Sequence, residues 1–413
     1  MTTTVRWSSL LELSVKIEFM YPNSFLRFFL PLGLLAFFLA SCQPVAATPL
    51  PVDVNATAMT GAMLTVSAQM TQTAQYTPAP TETPIPTPTV PRTPPALPGV
   101  YQSPYLNPKD TPHTYIQDTC QYLKAKWDPN NAAPGTVVMI IMFHSIDKGQ
   151  ATDPEDISAK EFQRLMSDLK DMGFEAITTQ QLADFLDYNA KIPPRSVLLL
   201  QDDRHSADNF NTHFRPYWEE WGWPVVNAWI SLEDSIGAQV LPENILLAQE
   251  GFVDYQAHGV VHNRIMSDQE SDEYITGELQ GSKDAILKNF GKAPIGIIWP
   301  GGGFGVRPVQ IARQLGYRVG FTINPRGPVM FNWVPLADQP DPMRPAYLPE
   351  GPVGDPRLTL PRYWPAQVRA VLDQVRAMGN EAAAYAEQNK ALELEYYDIV
   401  CAPTLGPLPA QSP

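Results

Sequence analysis

Val197-Leu-Leu-Leu-Gln-Asp-Asp-Arg204 is a short apolar run that stops at two adjacent carboxylates, Asp202 and Asp203. Such a run reads as a buried strand whose C-terminal end opens onto solvent. Two like charges at that rim cost energy unless a cation or a shared proton relieves them. Tyr255-Gln-Ala-His258-Gly-Val-Val-His262 offers a cation its other ligands: two imidazoles four residues apart, which a helical turn would set on one face. One Asp and two His suit a divalent transition metal, zinc above all, and leave a coordination position open for water.

Between residues 136 and 324, strand-like apolar runs alternate with amphipathic helical ones. Strands are predicted at 137–143, 174–178, 196–200, 224–230, 251–256, 295–299 and 317–323. The clearest helices are predicted at 158–172, with Ser158 as N-cap, at 179–188 and at 271–290. Seven such units in series predict an α/β fold, a distorted (β/α) barrel of about seven parallel strands. Polar residues gather at one edge of it. His144 follows the first strand, Asp202 and Asp203 the third, His258 the fifth and Pro300-Gly-Gly-Gly303 the sixth. All lie at C-terminal strand ends, where parallel barrels assemble their sites.

At these residues the segment 136–330 resembles the polysaccharide deacetylases of the NodB-homology group. The resemblance implies that Asp202 is the catalytic base and that Asp203, His258 and His262 hold one divalent metal. It also implies the reaction, hydrolysis of acetyl groups from an N-acetylated polysaccharide of the cell envelope or extracellular matrix. Val138-Met-Ile-Ile-Met-Phe-His144 resembles the opening strand and His of the branch that acts on exported poly-N-acetylglucosamine. Ile297-Ile-Trp-Pro-Gly-Gly302 resembles that branch's apolar-aromatic-Pro-x-Gly segment, and Gly316-Tyr-Arg-Val-Gly-Phe-Thr322 its closing strand. Backbone N–H groups around Gly301 and Gly302, with Pro300 and His144 beside them, are the substrate and oxyanion candidates, because Gly lets the main chain approach closely.

The chain departs from the family pattern at three places. Gln201 stands where an aromatic is usual, Arg204 where Gly is usual, and Thr322-Ile-Asn-Pro-Arg-Gly327 lacks the late His that protonates a leaving amine. Arg204 is expected to reach Asp202, and His144 or His205 to stand in for the missing acid. These departures also admit a degenerate, non-hydrolysing glycan-binding protein. A metalloprotease is disfavoured, since no Glu directly follows His258.

Composition frames the rest. The chain has 413 residues, 43 Pro, three Cys and a formal net charge of -14, with no basic patch to track nucleic acid. Residues 1–42 read as an upstream extension and a lipoprotein signal peptide. Arg27, an apolar core over 28–39 and then Leu39-Ala40-Ser41-Cys42 make Cys42 the residue lipidated to the outer face of the membrane. Residues 43–100, rich in Thr and Pro, read as a disordered tether, and 101–135 as an N-terminal strap. Residues 331–413 read as Pro-rich loops followed by a helix over 366–395 that packs outside the barrel. Cys120 and Cys401, left over in an exported chain, point to a disulfide. His113 and His213 read as structural, and Trp218, Trp221 and Trp223 as barrel-wall residues.

Overall fold

The computed structural model describes residues 92–409, except 148 and 152. The signal peptide, Cys42 and the tether up to residue 91 lie outside the described residues. The barrel strands are β1 (Val137–Phe143), β2 (Glu175–Ala176), β3 (Arg195–Gln201), β4 (Val225–Trp229), β5 (Val253–Ala257), β6 (Gly296–Ile298) and β7 (Val319–Phe321). They pair in parallel in the order β7-β6-β5-β4-β3-β1. The two-residue β2 sits against the start of β3, while β4 pairs with the end of β3. This is the distortion of the barrel: the second strand is a remnant, and β1 lies beside β3 along its full length.

Helices precede, connect and follow these strands: α1 (Thr119–Trp127), α2 (Ala159–Asp171), α3 (Thr179–Tyr188), α4 (Ala207–His213), α5 (Arg215–Trp221), α6 (Ser235–Gln249), α7 (Asp272–Phe290), α8 (Val306–Gln314) and α9 (Pro365–Tyr396). Their starts follow from local chemistry. Ser158 caps α2 by accepting the Glu161 N–H, and Thr178 with Gln181 forms a reciprocal capping box on α3. β1 is buried throughout and divides its side chains by the two-residue period of a strand. Val137, Met139, Ile141 and Phe143 join the helix-facing core with residues of α2 and α9. Val138 and Ile140 join the interior with Leu198, Leu200, Val226, Ile298 and Phe321.

A segment read from the sequence as loop closes the barrel. Leu360 pairs with β7, its N–H donating to Gly320 O at 2.7 Å and its carbonyl accepting from Thr322 N–H at 2.9 Å. Tyr363 pairs with β1, its N–H donating to Ile140 O at 2.7 Å and its carbonyl accepting from Met142 N–H at 3.0 Å. Four residues interrupted by Pro361 carry too little alternation to register as a strand. Gly320 makes the approach possible, since a Cβ there would stand 2.4 Å from Leu358 O.

The ends of the described chain are held together. Arg92 pairs with Asp398 at 2.6 Å and Glu395 at 3.3 Å, and Tyr385 donates to Gly99 O at 2.9 Å, so residues 92–100 already run along α9. Cys120 and Cys401 form a disulfide with Cα atoms 5.3 Å apart. Trp223 is buried with its Nε1 donating to Glu175 at 2.8 Å, and Trp218 and Trp221 pack against the same core. His113 pairs with Asp338, and His213 meets the ring of Phe162 edge-on.

Because the Leu358 main chain cannot retreat from a methyl group, Gly320→Ala is expected to cost roughly 1–3 kcal/mol of stability. Urea unfolding of the two proteins measures it, and an unchanged midpoint would show that the closing segment is not held against β7.

Candidate active site

The C-terminal ends of β3 and β5 bring the two motifs together. Asp203 Oδ1 lies 3.4 Å from His258 Nε2 and 3.9 Å from His262 Nε2, and one donor atom from each of the three residues falls within 4.8 Å of the others. The ring centroids of the two histidines are 4.4 Å apart. The expected helical turn is absent. Residues 258–262 form an irregular loop, and the rings converge because His262 is in the left-handed region, at φ 56°. Asp203 is likewise at φ 63°, so the two adjacent carboxylates leave the strand in different directions.

The surroundings suit a cation. Asp203 Oδ1 and His262 Nε2 are buried atoms with no hydrogen-bond partner. Separations of 3.4 and 3.9 Å are close to the ~3.3–3.4 Å that tetrahedral ligands at about 2.0–2.1 Å from a divalent ion would show. His258 Nδ1 donates to Ile298 O at 2.8 Å, which leaves the Nε2 lone pair aimed at Asp203. Burial works against the charge on Asp203, but the bond from His144 and the nearby His258 hold its carboxyl well below the usual carboxylate range. Burial and the neighbouring His258 push the His262 imidazole down, toward the neutral form a ligand needs.

Asp202 meets a different partner. It is 4% exposed, and its Oδ1 accepts from Arg362 Nη1 at 2.5 Å. Arg362 is fully buried and comes from the barrel-closing segment, where its Nε also donates to Thr322 O at 2.6 Å. The sequence pointed to Arg204 instead, and the structure corrects this. Arg204 turns away to Leu232 O (2.7 Å) and to both oxygens of Asp234 (2.9 Å each).

Buried carboxamides support the pair. Asn227 in β4 donates to Gln201 O at 3.1 Å and to Asp203 O at 2.7 Å, bracing the backbone turn at the two aspartates. Gln201 donates to His144 O at 2.9 Å and lies 2.9 Å from His205 Nε2. His205 is thereby engaged inside the wall. His144 instead stands at the edge, its ring 44% exposed and its Nε2 3.1 Å from Asp203 Oδ2.

The glycine turn after β6 is only partly available for an oxyanion. Gly302 N–H donates to Trp299 O at 2.9 Å within the turn, so that amide is already committed. Pro300, at the start of the turn, is buried. Gly301, exposed and at φ 57°, is the remaining main-chain candidate.

The family model for polysaccharide deacetylase matches residues 193–320, a span that begins just before β3 and contains Asp202, Asp203, His258 and His262 but neither His144 nor Arg362. The putative polysaccharide deacetylase YxkH of Bacillus subtilis (strain 168) is 24% identical over 190 residues, 45% of this chain and 64% of that protein. Among solved structures, the Streptococcus pyogenes deacetylase PplD in complex with acetate aligns at 22% identity, over 59% of this chain and 99% of that one, with a TM-score of 0.45. IcaB from Ammonifex degensii aligns at 16% identity, over 60% and 98%, with a TM-score of 0.43. Residues 193–320 are thus similar to polysaccharide deacetylases.

Two outcomes are expected. Arg362→Gln strands a buried carboxylate and should cost about 3–5 kcal/mol, whereas Asp202→Asn with Arg362→Gln should cost clearly less than the sum of the single changes. A double-mutant cycle in denaturant measures this, and additivity would mean the two groups do not interact. In the metal-free protein, the bond to Asp203 pushes the His144 imidazole up to about 9. A raised pKa of this kind stabilises fully below the unfolded value of about 6.5 and is lost as the pH rises through about 9. Imidazole NMR titration should find that high value, and Asp203→Asn should return it toward about 6.5.

Proposed function

We propose that this protein is a metal-dependent hydrolase that removes acetyl groups from an N-acetylated polysaccharide of the cell envelope or extracellular matrix. The observation that carries the reading is the convergence of Asp203, His258 and His262 beside a second carboxylate, Asp202, that is held by its own buried arginine. The polysaccharide deacetylase match over 193–320 supports the substrate class. The chain spans 64% of the length of the curated relative it matches, and the activity is inferred for the domain that the match covers.

Asp203, His258 and His262 would hold the ion, with zinc the best fit to one carboxylate and two imidazoles. Bound there, it would lower the pKa of water from about 15.7 to near 7 and polarise the acetyl carbonyl. Asp202 is the base that takes the proton from the attacking water. Arg362 occupies its Oδ1, so Oδ2 is the accepting oxygen. Gly301 N–H is the main-chain donor for the developing oxyanion. His144, open to solvent at the rim, is the imidazole that protonates the leaving amine, since His205 is engaged with Gln201.

The setting is read from the sequence. Cys42 would be lipidated after export, and the Thr/Pro-rich residues that follow would let the domain range over polymer outside the membrane. Among the described residues, no helix is long and apolar enough to cross a membrane.

Acetate release from poly-N-acetylglucosamine or chitooligosaccharides tests the reading. Release is expected with the zinc-loaded protein, loss with a chelator and recovery on adding metal back. Asp202→Asn should lower the rate by ~10²–10⁴-fold without loss of metal. Glycan binding without any acetate release would favour the degenerate, non-hydrolysing alternative.

A further inference from the structure

His258 and His262 reach one point although the residues that carry them are not helical, so a contact from outside the motif must set the loop. That contact comes from Glu278, in the middle of α7 and 4% exposed. Its carboxylate accepts the Val260 N–H at 2.7 Å and the Val261 N–H at 3.1 and 3.3 Å. These amides belong to residues lying between the two histidines. Two glycines make the approach possible. At Gly259, φ 76°, a Cβ would stand 2.6 Å from Glu278 Oε2, and at Gly281 on α7 a Cβ would stand 2.9 Å from the Val260 side chain.

A carboxylate in such a place is costly unless it is hydrogen-bonded. Among the described residues no Lys, Arg or His forms an ion pair with it, so the loop amides are its partners. An apolar residue would serve the helix packing as well or better. The carboxylate is therefore best explained by what it does to the loop. With two consecutive N–H groups pinned, the chain must turn back after Val261, and His262 enters the left-handed region that aims its Nε2 at Asp203.

We infer that Glu278 is a positioning residue for the metal site: it fixes the backbone over Gly259–Val261 so that His258 and His262 converge on Asp203. The inference rests on the metal-site reading above. Removing such an outer contact typically weakens metal binding 10–100-fold.

The test uses the full chain with its disulfide intact. Zn²⁺ affinity by chelator competition and the Co²⁺ absorption spectrum are compared for the wild type, Asp203→Asn, Glu278→Ala, Glu278→Gln and Gly259→Ala. Glu278→Ala is expected to bind Zn²⁺ about 10–100-fold more weakly and to alter the Co²⁺ spectrum, while its far-UV circular dichroism stays that of the wild type. Glu278→Gln keeps one acceptor oxygen but turns an NH₂ group toward an N–H, and should fall between the two. Gly259→Ala, whose methyl displaces the carboxylate, should reproduce the loss. Wild-type affinity and spectrum in Glu278→Ala would overturn the inference. If that variant does not fold, wild-type values in Glu278→Gln would overturn it. Should the wild type and Asp203→Asn bind metal alike, the metal-site reading itself fails, whatever the Glu278 variants do.

Discussion

A carboxylate that is 4% exposed must find a cation, and Asp202 finds one in Arg362, 160 residues further along the chain. This contact fixes more than one side chain. Arg362 lies on the segment whose neighbours, Leu360 and Tyr363, hydrogen-bond β7 and β1, so the pair ties the third strand's end to the seam where the barrel closes. The ion pair also frees Asp203 from sharing a counter-charge with Asp202. Two adjacent acids thus take up two environments, one facing a guanidinium and one facing imidazoles.

Backbone conformation carries out that separation. The left-handed residues at Asp203 and His262 turn side chains that a regular strand or helix would send elsewhere toward one point. Each is braced by a buried polar group from a neighbouring element: Asn227 on β4 for the aspartate, Glu278 on α7 for the histidine loop. Site and scaffold are accordingly one hydrogen-bonded unit, in which strand ends supply the functional groups and the flanking elements supply their directions.

Much of this was legible in the sequence, and the parts that were not have physical reasons. The long apolar run of β1, buried on both faces, and the capped amphipathic α2 and α3 announce themselves by period and by cap residues. The Asp-Asp pair and the spaced histidines are legible because chemistry confines them to strand ends. The two spaced histidines do converge, but through a geometry other than the one expected, since a loop held by side-chain contacts mimics what a helical turn would do. Arg362 was invisible: its four-residue segment contains Pro361, pairs at only two positions and sits in a Pro-rich context that reads as loop. Glu278 was equally hidden, because a glutamate on an amphipathic helix looks like an ordinary solvated residue until burial and partners are known. Arg204 was misjudged for the opposite reason, as proximity in sequence to Asp202 says nothing of where a long side chain can reach.

The closing stave lies near the end of the chain, and this sets an order of events during synthesis. A polypeptide emerging N-terminus first completes β1 through β7 while the seam between them still gapes, and Asp202 waits without its guanidinium until residues 360–363 arrive. The Cys120–Cys401 bond can form only later still. A nascent or prematurely ended chain would therefore hold every residue of the two motifs yet lack the Asp202–Arg362 pair, so the arrangement at these strand ends belongs to the finished molecule alone.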